Sequence, residues 1–181
     1  MMFLVTGGAN SGKSAYAEQL CMGLGGGRVY LAAMRPSGRE GRERVSKHRS
    51  LRAGKGFETI ECYESFPAAV DDPRVKGAAV LLECLGNVVA NELFSGPFEP
   101  AGAVERIECA VTALAERASD VVIVANEVGA DGFAYPEETR EYQRVLGELS
   151  SKLAQRCDRV VECVAGVPIV LKEEGGHDVP A

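Results

Sequence analysis

The chain has 181 residues, 46% of them apolar, and a formal net charge of −6, the size and composition of one soluble globular domain with a single core. An acidic balance supplies no general field for nucleic acid, and no stretch approaches the roughly 20 apolar residues of a membrane span. The six cysteines are scattered without a Cys-x-x-Cys pair, and only two histidines accompany them, so buried free thiols are expected rather than a zinc site. The chain enters its first apolar run directly, without the basic and apolar regions of a signal peptide, which predicts a cytoplasmic protein with no nucleic-acid partner and no membrane span.

That first run, Met2-Phe3-Leu4-Val5, predicts a strand over Phe3 to Thr6. Directly after it, Gly7-Gly8-Ala9-Asn10-Ser11-Gly12-Lys13-Ser14 matches the phosphate-loop pattern G-x-x-x-x-G-K-[ST] in full. A phosphate chain must be met by backbone N–H groups pointing into one concavity, and Gly7, Gly8 and Gly12 suit a backbone that wraps closely. Lys13 brings a point charge for the β- and γ-phosphates and Ser14 a hydroxyl ligand for Mg²⁺. The helix predicted over Lys13 to Leu24 adds its positive dipole end. A glycine-rich turn that matches by chance is the alternative, and the strand before and helix after weigh against it.

Further along, Gly25-Gly26-Gly27 marks a turn and Val29 to Ala33 a second strand. A helix is predicted over Gly41 to Leu51, a strand over Ala79 to Glu83, and a helix over Cys84 to Phe94. A Pro- and Gly-containing stretch marks a loop over Ser95 to Gly102, and a helix is predicted over Ala101 to Ala118, a strand over Val121 to Ala125, and a helix over Glu137 to Arg156. Pro136 and acidic residues start that last helix, and Gly147 threatens its continuity. Arg159 to Val164 and Pro168 to Leu171 predict an antiparallel hairpin, and Glu173 to Ala181 a frayed polar tail. Strands that are apolar throughout have both faces covered, so the pattern argues an α/β fold with a mostly parallel sheet and one domain over residues 1–172.

Between the second and third predicted strands, Arg35, Arg39, Arg42, Arg44, Lys47, Arg49, Arg52 and Lys55 crowd around His48. Taken alone this is the solvated face of a helix; beside a phosphate loop it is also a clamp for a transferring phosphoryl group. Neutral imidazole is a good nucleophile near neutral pH, whereas an exposed histidine without a role is equally ordinary. Glu83 ends a strand where folds of this kind place a carboxylate near Mg²⁺ or its water shell, although a strand-end glutamate facing solvent reads the same way. Asn126 and Glu127 also end a strand on the carboxyl side of the sheet, where open α/β folds bind ligands.

The order Leu4-Val5-Thr6-Gly7-Gly8-Ala9 with Ser11-Gly12-Lys13-Ser14, Lys47-His48-Arg49, Leu82-Glu83-Cys84 followed by Asn91-Glu92-Leu93-Phe94, and Asn126-Glu127-Val128-Gly129 resembles the bifunctional adenosylcobinamide kinase / adenosylcobinamide-phosphate guanylyltransferase family of cobalamin biosynthesis. The resemblance covers residues 2–172. It implies a single P-loop NTPase-type domain related to the RecA-like group, ATP or GTP and Mg²⁺ as reactants, a corrinoid substrate and a homotrimer. It further implies phosphorylation of the aminopropanol hydroxyl of adenosylcobinamide, then transfer of GMP from GTP through a guanylylated histidine, a role that falls on His48. The nucleotide site carried over comprises Gly7, Gly8, Ala9, Asn10, Ser11, Gly12, Lys13, Ser14, Ala33, Met34, Arg49, Ser50, Leu51, Arg52, Glu61 and Glu83, with Lys13 catalytic and Ser14 and Glu83 at the metal. Glu61 reads equally as an exposed loop carboxylate or as a ribose or base contact.

The chain departs from the family pattern after Gly129, with Arg140-Glu141-Tyr142-Gln143-Arg144 and Ser150-Ser151 where the family has an arginine-aromatic-arginine-aspartate run and an asparagine-glutamine pair. Two rival readings stand beside the bifunctional enzyme: a P-loop small-molecule kinase without nucleotidyl transfer, and a nucleotide-dependent regulatory switch. The guanine-reading N-K-x-D motif of switches is absent.

Overall fold

Each strand that the apolar runs predict forms, and one more joins them. The computed structural model describes residues 1–95, 101–129 and 133–174, and within helix α2 and at its end it leaves the side chains of 40, 44, 47 and 51 undescribed. In chain order the elements are β1 (Met2–Thr6), α1 (Lys13–Gly23), β2 (Arg28–Ala32), α2 (Gly38–Arg52), β3 (Phe57–Glu61), α3 (Phe66–Val70), β4 (Ala79–Glu83), α4 (Leu85–Phe94), α5 (Ala103–Arg117), β5 (Asp120–Val124), α6 (Glu137–Arg156), β6 (Arg159–Val164) and β7 (Val167–Glu173). They build one seven-stranded sheet in the order β3-β2-β4-β5-β1-β6-β7. Only the last pair, β6 with β7, is antiparallel.

The central strands are apolar at every position because both faces are covered. On one side Leu4, Leu31, Leu82 and Ile123 pack under α4, α5 and α6. On the other, Phe3, Val5, Leu81, Val122 and Val124 pack under α1 through Ala17, Leu20 and Cys21. Alternate residues of one strand thus serve two cores, which is why all five residues of β4 are buried.

The strand that sequence reading misses is β3. Its residues Phe57-Glu58-Thr59-Ile60-Glu61 bury only Ile60 fully, because β3 is an edge strand with one face half-covered. The short α3 is missed as well; its N-cap Ser65 accepts a hydrogen bond from the Ala68 N–H. Of the loop expected over Ser95 to Gly102, residues 96–100 lie outside the described residues, and so does 175–181 of the expected tail. Glu173, read as part of that tail, closes β7. Of the cysteines, Cys21, Cys62, Cys157 and Cys163 are buried, Cys84 is half-buried and Cys109 exposed, and all are free thiols.

Gly147 does not interrupt α6, which runs unbroken for 20 residues. It is exposed, and a β-carbon there would meet no atom within 4 Å. Gly147→Ala should therefore stabilise the protein by up to about 1 kcal/mol, from helix propensity and reduced freedom of the unfolded chain. A thermal melt should register this as a rise of about 2–4 °C.

Candidate active site

Parallel register lines up one residue from each strand near its carboxyl end. Glu61 of β3 pairs with Ala32 of β2, Ala32 with Glu83 of β4, Glu83 with Val124 of β5, and Val124 with Val5 of β1. Over this row lies a cavity of about 450 Å³. Its rim comes from the loops that leave β1 and β2, from α2, and from Cys84, Asn87 and Asn126.

The loop between β1 and α1 contributes Ala9, Asn10, Lys13 and Ser14 to the wall. Its backbone is possible only with glycine at two points. Gly7 has φ +146, and a β-carbon there would lie 2.5 Å from the Cys163 carbonyl oxygen and 2.7 Å from the Ser11 hydroxyl. Gly12 caps α1 with φ 89, and its β-carbon would stand 3.2 Å from the Gly166 Cα. At Gly8 a β-carbon would meet nothing within 4 Å of protein. The tip of the β6–β7 hairpin braces the loop, since the Gly166 N–H donates to the Ser11 carbonyl at 2.9 Å. Lys13 is buried and turns its Nζ back to the Gly8 carbonyl at 2.9 Å, within the concavity.

Helix α2 lies on the α1 side of the sheet, and Val45, His48, Arg49 and Arg52 of it line the cavity. These positions are spaced i, i+3, i+4 and i+7, one face of a helix. The basic segment is therefore neither wholly solvated nor wholly a clamp. Arg39 pairs along the helix with Glu43, Arg35 with Glu64, and Arg49 with Glu61, whose second oxygen accepts from Tyr63 Oη at 2.8 Å. Just past α2, Lys55 pairs with the buried carboxylate of Glu18 on α1, which pins the end of the helix to the phosphate-loop helix.

Arg52 is different. It is 7% exposed, its guanidinium stacks 3.3 Å over the ring centroid of Tyr30, and its Nε and Nη1 have no hydrogen-bond partner. A buried guanidinium without a carboxylate partner is costly, and Arg52 stands in the cavity lining, where an anionic ligand would offset its charge. Beside it, Tyr30 donates its phenol to Glu83 Oε2 at 3.0 Å, while Glu83 Oε1 lies 3.9 Å from His48 Nδ1. Glu83 itself is 8% exposed.

The environment sets the ionisation of two side chains in the lining. Burial, and then the charge of Glu83, push the Tyr30 phenol well above its ordinary value, so it stays a donor. Burial likewise raises the Cys84 thiol, whose Sγ accepts from Asn87 Nδ2 at 3.2 Å, so it stays unionised. His48 is one-third exposed and also lines the cavity.

The residues singled out from sequence are thus placed as follows. Ala9, Asn10, Lys13, Ser14, Met34, His48, Arg49, Arg52, Glu61 and Glu83 line one cavity. Gly7, Gly8, Ser11 and Gly12 shape the loop behind it, and Ala33 is buried beneath, its N–H donating to the Glu83 carbonyl at 3.3 Å. Ser50 is exposed outside the wall, and the Leu51 side chain is outside the described part. Glu61 is the last residue of a strand, not a loop carboxylate. Sequence reading missed Tyr30, Tyr63, Cys84 and Asn87 as cavity residues. Tyr30 was visible only as a strand residue, and its role depends on which strand lies next to β2.

Among the described residues, no three His, Cys, Asp or Glu side chains gather into a metal centre. Magnesium does not need one, since it keeps most of its shell from water and phosphate; hard oxygens at Ser14 and Glu83 suit it. No helix of the described residues is long and apolar enough to cross a membrane.

Residues 3–171 match the model of the cobinamide kinase / cobinamide phosphate guanyltransferase family. The chain belongs to that family. It is 31% identical over 174 residues to the bifunctional adenosylcobalamin biosynthesis protein CobP of Pseudomonas aeruginosa, covering 96% of this chain and 99% of that one. With the protein CobU of the same description from Salmonella typhimurium the identity is 31% over 183 residues, covering 95% of this chain and all of that one. Among solved structures, a KaiC-like protein from Pyrococcus horikoshii superposes with a TM-score of 0.51 at 14% identity, over 89% of this chain and 71% of that chain. That likeness is one of fold, the RecA-like P-loop arrangement.

Gly7→Ala should distort the phosphate loop, because the colliding atom is a backbone carbonyl that cannot swing aside. A loss of about 1–3 kcal/mol in denaturant unfolding is expected, together with weaker binding of a fluorescent GTP analogue. Wild-type values for both would mean that Cys163 and Ser11 relax around the new methyl.

Proposed function

We propose that this chain performs both reactions of its family in the one cavity, phosphorylating the aminopropanol hydroxyl of adenosylcobinamide and then transferring GMP to that phosphate by way of His48. The observation that carries the reading is the meeting of a phosphate loop and the neighbouring His48 and Glu83 in the lining of a single cavity.

In the kinase step, Lys13 and the loop N–H groups hold the β- and γ-phosphates of ATP or GTP. The acceptor oxygen bonds to the γ-phosphorus, the bond to the bridging oxygen breaks, the nucleoside diphosphate leaves with the electron pair, and the hydroxyl proton is released. In the transfer step the lone pair of His48 Nε2 forms a bond to the α-phosphorus of GTP. Pyrophosphate leaves with the electrons of the broken P–O bond, while Nδ1, the nitrogen on the Glu83 side, would carry the imidazole proton. The phosphate of the corrinoid then attacks the same phosphorus, and the N–P bond returns its pair to Nε2, giving adenosylcobinamide-GDP. Arg52, with Arg49 beside it in the lining, would meet charge on the α-phosphate. Ser14 would hold Mg²⁺, with Glu83 acting on the metal's water because its oxygens already face Tyr30 and His48. The ion supplies neutralisation of phosphate charge when bound.

A homotrimer fits the edge of the sheet. On β7, Val167, Ile169, Val170 and Leu171 are all exposed, so both faces of an apolar strand stand open, and a neighbouring subunit is the cover we assign to them. The free thiols suit the cytoplasm.

His48→Ala should lose the acid-labile, base-stable GMP adduct and all GMP transfer, yet bind GTP through the separate phosphate loop. Mass analysis of protein incubated with GTP, Mg²⁺ and adenosylcobinamide phosphate reads adduct and product together. A wild-type protein that turns over corrinoid to the phosphate but never carries GMP would instead favour the plain kinase. Lys13→Ala should abolish both reactions in a folded protein; near-normal turnover there would remove the phosphate loop from the mechanism.

A further inference from the structure

We infer that Tyr30 is a positioning residue that keeps two opposite charges of the cavity apart, holding Glu83 for His48 and Arg52 for a phosphate. The inference rests on the reading of His48 as nucleophile.

Arg52 and Glu83 are both buried, of opposite sign, and both in contact with Tyr30, yet they do not pair with each other. Arg52 leaves Nε and Nη1 without a hydrogen-bond partner. Glu83 turns one oxygen to the Tyr30 hydroxyl at 3.0 Å and the other toward His48 at 3.9 Å. Left to themselves, a buried guanidinium and a nearby buried carboxylate would form a bidentate pair, the strongest contact open to either. That pair would consume the cation needed at the phosphate and the carboxylate needed at the imidazole.

Tyr30 prevents it in two ways at once. Its ring lies 3.3 Å from the guanidinium carbon, which holds the Arg52 cation at the cavity wall and away from the Glu83 carboxylate. Its hydroxyl fixes the rotamer of Glu83 from the strand next door, as the register sets Tyr30 opposite Leu81, two residues before Glu83 on the same face. The ring cannot drift, because it is 4% exposed and stands edge-on to Phe57, with centroids 6.4 Å apart at 82°. With Glu83 held, a proton on His48 Nδ1 has an acceptor to close upon when the nucleotide binds, and the lone pair stays on Nε2.

Phenylalanine at position 30 would keep the ring and the core packing and lose only the hydroxyl. Tyr30→Phe should slow formation of the GMP adduct in single-turnover labelling with α-labelled GTP by about tenfold or more, while GTP affinity stays within about twofold. Tyr30→Leu, which removes the ring as well, should in addition weaken GTP binding by about tenfold. A merely structural tyrosine would not move the tautomer of His48. Nitrogen NMR of the imidazole should find the proton on Nδ1 in the wild type and shifted toward Nε2 in Tyr30→Phe. In a Glu83→Gln background the Tyr30→Phe change should cost no further rate.

A Tyr30→Phe protein with the wild-type labelling rate and the wild-type tautomer overturns the proposal. If Tyr30→Phe fails to fold, Glu83→Gln probes the same hydrogen bond from its other end, and an unaltered labelling rate and tautomer there overturn it equally. Absence of adduct in the wild type, or persistence of adduct in His48→Ala, sinks the nucleophile assignment instead. In that event the tautomer comparison still decides whether Tyr30 governs the orientation of His48.

Discussion

Parallel pairing is the constraint from which the site follows. A parallel strand must be returned to its starting end by a crossover, so each strand leaves the sheet at the same edge, and the loops that follow gather there. In this chain the register is regular enough to set Glu61, Ala32, Glu83, Val124 and Val5 in a row across five strands. Residues far apart in the sequence thereby come within reach of one ligand without any of them being on a long or adaptable loop. Glu83, on β4 between β2 and β5, is held by two neighbouring strands, which gives it a precision that a surface loop cannot offer.

The charges of the basic segment in and around α2 have been sorted by the tertiary structure into different uses. Arg39, Arg35 and Arg49 meet carboxylates at exposed positions, where each pair is worth a fraction of a kcal/mol and serves mainly to orient side chains. Lys55 meets a buried carboxylate on α1, and the bridge joins the helix that carries His48 to the helix that carries Lys13. Arg52 alone of these is buried over an aromatic ring with N–H groups unmet. The acidic total of −6 therefore says little about the cavity, whose lining holds Lys13, Arg49 and Arg52 beside Glu61 and Glu83.

The two ends of the chain complete one another. β1 sits in the interior of the sheet between β5 and β6, and the Met2 N–H donates to Asp158 at 2.6 Å. The phosphate loop that follows β1 is braced by the hairpin tip at Gly166, more than a hundred residues later. Gly7 and Gly12 are thus required by neighbours within the protein, independently of any phosphate.

Sequence alone determined the local and the periodic features. Apolar β-branched runs marked six of the seven strands, helical spacing and caps marked the long helices, and a contiguous motif marked the phosphate loop, because each of these is written in residues adjacent in the chain. His48 and the basic segment stood out for the same reason, although composition could not tell a solvated helix face from a clamp. β3 escaped because an edge strand buries one side chain in five and so carries almost no apolar signal. What only the tertiary structure decided is which charges meet. Tyr30 and Glu83 lie 53 positions apart and touch because β2 pairs with β4 at a particular register; Arg52 faces that tyrosine because α2 crosses the α1 side of the sheet. Such contacts depend on strand order and helix placement, which arise from burial summed over the whole chain and leave no mark on any local stretch of it.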